Sequence, residues 1–144
     1  MFLRKKNLFF SLLLQKNRIF ATTKPYMIMK ILLETESEQA ATELTNEILD
    51  DVSGKKVEDW YHCLRPVKGT DSSCIYHYTE KDANDDNKRV KFYIHESGAN
   101  VSLKQIWREG YTPGRQTKLH LTSALINMIY TRYPEKFSGI KIQW

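Results

Sequence analysis

A chain of 144 residues has room for one domain of ordinary size and excludes two. Its formal charge of +5 arises in the first 28 residues, which hold Arg4, Lys5, Lys6, Lys16, Arg18 and Lys24 and no acid; 16 of the 22 basic residues then face 17 acids in the remainder, so overall basicity is no argument for a nucleic-acid partner. Cys63 and Cys74, the two cysteines, show no CxxC spacing, which excludes a disulfide scaffold and a zinc-ribbon motif and reads as two reduced thiols of a cytosolic protein.

Residues 1–28 open on a basic stretch and an apolar run from Leu8 to Leu14 that Gln15, Lys16, Asn17 and Arg18 interrupt. The run falls far short of the roughly 20 residues of a membrane helix. Ile19-Phe20-Ala21 puts a large side chain where a secretory cleavage site keeps a small one. Two readings remain, and both leave this leader outside the fold. Either translation starts at Met27 or Met29 rather than Met1, or the segment is a mitochondrial targeting leader. We read it as the former, which places the protein in the cytoplasm; the latter would place it in the mitochondrial matrix. The globular part is then 29–144, a single domain.

Lys30 to Glu34 is a short apolar run, expected as a buried strand. Thr35-Glu36-Ser37-Glu38 fits a capping box, with Thr35 accepting and Glu38 reaching back. Ala40, Ala41, Leu44, Ile48, Leu49 and Val52 recur at helical spacing up to Ser53-Gly54, where glycine is expected to close the helix in a left-handed conformation.

From Val57 the period becomes two. Glu58 to Arg65 alternates Trp60, His62 and Leu64 with Asp59, Tyr61 and Cys63. Pro66 to Ser73 supplies a turn, Cys74 to Glu80 the partner strand, and Lys81 to Lys88 a polar loop. Arg89 to Glu96 directs Val90, Phe92 and Ile94 inward and Lys91, Tyr93 and His95 outward. A short connection at Ser97 to Asn100 leads into a strand over Val101 to Arg108, with Val101, Leu103, Gln105 and Trp107 on one side and Ser102, Lys104, Ile106 and Arg108 on the other.

Glu109 to Gln116, EGYTPGRQ, interrupts the sheet pattern. A second helix is expected from about Thr117 to Arg132, apolar nearly all round and therefore buried. Pro134 stops it, and Ile140, Ile142 and Trp144 alternate as a last short strand or an extended tail. The expected fold is α+β: one antiparallel sheet of four to six strands, two helices on one face, order β-α-β-β-β-β-α-(β). That order is similar to the TATA-binding-protein-like fold, a resemblance of element order that carries no function.

Candidate sites follow from this frame. Lys91, Tyr93, His95, Lys104 and Arg108 would form a patch of cations and rings on an uncovered sheet face, the combination that meets phosphates and stacks on bases. The bland reading is an ordinary solvated sheet face, because lysines discourage edge pairing and aromatics are good strand formers. Arg115 joins the binding set through the loop before the second helix, where main-chain amides can receive an anion; an ordinary connection has the same composition. His62, Cys63, Cys74 and His77 cannot all converge on one metal, since neighbouring strand positions point to opposite faces. The acids of Asp82 to Asn87 lack EF-hand spacing. His95, Glu96, Arg108 and His120 would be the set for metal-independent phosphodiester cleavage, although no nucleophile elbow, P-loop or HExxH anchors an enzyme.

The expectation from sequence is thus a small non-catalytic binding protein whose ligand is nucleic acid. The alternatives are a protein-binding accessory of the immunity or antitoxin type and a metal-independent ribonuclease. No cofactor, metal or membrane partner is expected.

Overall fold

The computed structural model describes residues 28–63, 73–80 and 89–143. Alternation in the first strand, β1 (Lys30–Glu34), buries Ile31 and Leu33 on one side. α1 (Glu38–Ser53) buries Ala41, Leu44, Thr45, Ile48 and Val52, a helical stripe one turn apart. The helix starts two residues later than the capping-box reading: Ser37 is the N-cap, its Oγ accepting from the Ala40 N–H at 3.1 Å. Thr35 is taken instead by the sheet, with its amide and hydroxyl both donating to the Ala99 carbonyl.

The helix end also differs from expectation. Gly54 has φ −80°, and Lys55 takes the left-handed conformation at φ 59°. Glycine is favoured at 54 by space, because a Cβ there would stand 3.0 Å from the Asp50 carbonyl oxygen.

The strands β2 (Trp60–His62), β3 (Cys74–His77), β4 (Lys91–Ser97), β5 (Asn100–Ile106) and β6 (Gly139–Gln143) join β1 in one antiparallel sheet of order β2-β3-β4-β5-β1-β6. β3 is shorter than its sequence pattern, since Tyr78–Glu80 turns into a 3-10 helix. The β4–β5 hairpin closes at the Ser97–Asn100 pair. Its two-residue turn needs glycine at its first central position, where Gly98 has φ 61°. α2 (Arg115–Arg132) begins two residues before Thr117, with Gly114 as an N-cap that offers no side-chain bond.

Why both helices share a face follows from chain directions. With every neighbouring pair antiparallel, β1 runs parallel to β2, and β5 runs parallel to β6. Strand–helix–strand crossovers between parallel strands are right-handed almost without exception. β1 and β5 point oppositely, and their crossovers move oppositely across the sheet. The two reversals cancel, so right-handedness sends α1 and α2 to the same side. There they bury Ile31, Leu33, Ile75, Phe92, Ile94, Val101, Leu103, Ile140 and Ile142. One polar knot crosses this core: Gln105 Nε2 donates to the Lys118 carbonyl at 2.9 Å and to Thr122 Oγ1 at 3.0 Å, tying β5 to α2. Among the described residues no helix is long and apolar enough to cross a membrane.

Candidate functional site

The register lines up side chains in rows on the face away from the helices. One row runs Cys74, Tyr93, Lys104, Lys30, Gln143; the next runs His95, Ser102, Leu32, Lys141. On the other flank Tyr61 opposes Tyr76, and Lys91 opposes Ile106. Tyr61 and Tyr76 stack with centroids 5.6 Å apart, and the Arg89 guanidinium lies 4.2 Å above the Tyr76 ring. Tyr93 and His95 stack at 4.8 Å. Lys30, Arg89, Lys91, Lys104 and Lys141 lie on this side, where the one described acid at an outward strand position is Glu34, which pairs with Lys141 at 3.2 Å. On the helix side, by contrast, acids and cations are mixed: Asp51 pairs with Arg132 at 3.4 Å and Glu47 with Lys136 at 3.8 Å. Glu38, Glu43, Glu47, Asp50 and Asp51 belong to α1, on the opposite side.

The sequence-derived residues divide unevenly over this geometry. Tyr93, His95 and Lys104 lie together away from the helices, half-buried. Arg108 is half-buried two residues beyond the end of β5. Lys91 shares the row direction but is 0% exposed, so it is no part of an outer surface. Ser102, between His95 and Leu32, is equally inaccessible, and the face is not open throughout as the alternation alone implied. Arg115 is exposed at the start of α2, a helix packed on the other side, and stands apart from the set. Alternation extended across the turns would have added Tyr61, Tyr76 and Lys30. Arg89 carries the same signal, since it heads the expected strand Arg89 to Glu96 in phase with Lys91, Tyr93 and His95, although β4 itself begins at Lys91.

A second constellation lies on the helix side. His77, 7% exposed, meets the edge of Trp60 at 5.1 Å and of His120 at 5.7 Å. Its Nδ1 is 2.8 Å from the Thr79 hydroxyl. Burial, reinforced by the neighbouring His120, pushes the His77 pKa below its ordinary 6.5, with Asp59 opposing. Asp59 itself adopts φ 71°, unusual for a residue with a side chain. A cleft of about 470 Å³ is lined in part by Asp59, Trp60, His77, Asn127 and Arg132. His120 borders a second, shallower hollow with Thr79, Gln116 and Thr117.

These contacts correct the proposed acid/base set. His95 lies on the face away from the helices, whereas His120 meets His77 on the helix side, so His95 and His120 are not brought together. Among the described residues no three of His, Cys, Asp and Glu gather where a metal ion would be held. The loop Asp82 to Asn87 lies outside the described residues. Comparisons with protein-family models, curated proteins and solved structures give no match, so the likeness to the TATA-binding-protein-like fold is one of element order alone.

Proposed function

We propose that the protein is a small binding protein whose sheet face away from the helices, centred on Tyr93, His95, Lys104 and Lys30, takes a single-stranded nucleic acid. The observation that carries this reading is the company that rings and cations keep on one side of the sheet: Tyr93 stacks on His95 opposite Lys104, and Arg89 lies over Tyr76, which stacks on Tyr61. Cations neutralise backbone phosphates, and each flat ring offers a stacking platform to any base.

Titration of a fluorescent oligonucleotide across a salt series tests it. Affinity falls steeply with salt, and Lys104→Ala reduces the slope by about 0.7 for the phosphate contact it removes. Affinity independent of salt ends this reading. Co-purification of a stoichiometric protein from the native host would instead favour the immunity- or antitoxin-type reading.

A second reading has its own observation. Cleavage of RNA without a metal is favoured by the His77–His120 pair, in which a buried imidazole held neutral stands beside an exposed one. RNA degradation that vanishes in both His77→Ala and His120→Ala would support it; activity surviving either change rules it out.

A further inference from the structure

The binding reading leaves both cysteines unused, yet the register brings them together. β2 and β3 pair Trp60 with His77, Tyr61 with Tyr76 and His62 with Ile75. One step further sets Cys63 against Cys74, and the Cys63 N–H donates to the Cys74 carbonyl at 2.8 Å. Four positions back along the ladder, beyond the Trp60–His77 pair, the Tyr78 N–H donates to the Asp59 carbonyl at 2.7 Å, so the bonding alternates as an antiparallel ladder requires. Residues directly opposed in such a ladder point to the same face. A hydrogen-bonded pair holds its Cα atoms about 5.5 Å apart, inside the window of about 4.4–6.8 Å that a disulfide spans. Its Cβ atoms, at the wide end of about 4.5–5.5 Å, must close by about 1 Å, so bridging needs a local shift of the strand that carries Cys63. The residues are 1% and 0% exposed, and neither is held in a disulfide. Among the described residues β2 is an outer strand three residues long, the kind of element that opens locally at small cost.

We propose that Cys63 and Cys74 form a dithiol site that a small-molecule disulfide of the glutathione type oxidises to an intrachain disulfide. One cysteine thiolate attacks the co-substrate; its S–S bond breaks, a mixed disulfide forms, and the departing thiolate takes up a proton. The second cysteine thiolate then attacks the protein sulfur of the mixed disulfide and releases the second small thiol. Two protein thiols are oxidised, one external disulfide is reduced to two thiols, and the two protons lost by the cysteines end on them.

The test uses the full chain, fully reduced, incubated with oxidised glutathione with and without urea below the unfolding transition, so that access and proximity are separated. The expected product has lost two hydrogens by intact mass, carries no titratable thiol after denaturation, and reverts with dithiothreitol. Its thermal midpoint rises, because the cross-link closes a loop in the unfolded chain. Cys63→Ser and Cys74→Ser each leave one thiol that gains a single glutathionyl group. Ring closure in the natural chain is expected to be at least about tenfold faster than that addition, since the second thiol is tethered beside the first. Two glutathionyl groups on one chain, a disulfide-linked dimer, or two unmodified thiols even in urea would each overturn the proposal. This result is independent of nucleic-acid binding, which is read on the reduced protein.

Discussion

Phe92 and Tyr93 are consecutive residues of β4 with opposite surroundings. Phe92 is 1% exposed and meets the edge of Trp60 at 6.0 Å beneath the helices, whereas Tyr93 is half-buried on the other side, stacked on His95 and opposite Lys104. The same contrast holds for part of the sheet, since Cys63, Cys74, Lys91 and Ser102 on that other side are at most 1% exposed. On the helix side the strands present aliphatic and aromatic side chains to two helices; on the other they present rings and cations. The helix side supplies most of the apolar burial, and the half-buried positions of the other side have more freedom to differ.

The sharpest way to break that contrast is to truncate the two neighbours separately. Phe92→Ala is expected to cost about 3–5 kcal/mol of stability, through lost burial and the cavity left behind. Urea unfolding measures it, and oligonucleotide affinity of the folded fraction stays unchanged. Tyr93→Ala is expected to cost about 1 kcal/mol or less in stability, while weakening binding by about 1–3 kcal/mol if its ring is a stacking platform. Equal stability losses at the two positions would mean that the face away from the helices is a second core.

Gln105 and Lys104 offer a finer version of the same comparison. Gln105 points into the core, where its Nε2 bonds the Lys118 carbonyl and Thr122 Oγ1. Gln105→Ala is therefore expected to destabilise by about 1–3 kcal/mol, since it strips a donor from buried acceptors. Lys104→Ala, one residue earlier, is expected to change stability by about 0.5 kcal/mol or less. Its effect belongs in the salt slope of binding.

How far these contrasts were legible depends on how local their cause is. Period-two alternation in residues 90–107 assigned the two sides correctly, because a strand with one face against helices leaves no freedom of register. The capping motif at 35–38 misled by two residues: Thr35 competes for the Ala99 carbonyl across the sheet, a contact that no local pattern records. Lys91 reads as an outward cation and is fully buried, since alternation gives the direction of a side chain but not what surrounds it. From sequence, His77 reads as one of four side chains that cannot all converge on one metal. Its pairing with His120 joins a strand to a helix more than 40 residues later, and periodicity within either segment is blind to it. The opposition of Cys63 and Cys74 was within reach, because it needs just the β2–β3 register.

The smallest expected effect concerns His77 and pH. Burial, then the neighbouring His120, holds the His77 pKa in the folded chain below the ordinary 6.5, and Asp59 offsets part of this. In the unfolded chain the imidazole regains its ordinary value. Between those two values the unfolded state binds more protons than the folded one, so stability rises with pH across that window. The contribution is fully present above the unfolded value and is lost as pH falls below it towards the depressed folded value. Thermal or urea unfolding is therefore expected to show a less stable protein at pH about 5.5 than at about 7.5. His77→Gln, which cannot take up a proton in this range, should flatten that dependence while lowering stability at both pH values through the lost ring contact with Trp60. An unchanged pH slope in the variant would move the responsibility away from the buried imidazole, and with it the electrostatic basis for treating the His77–His120 pair as an acid and a base.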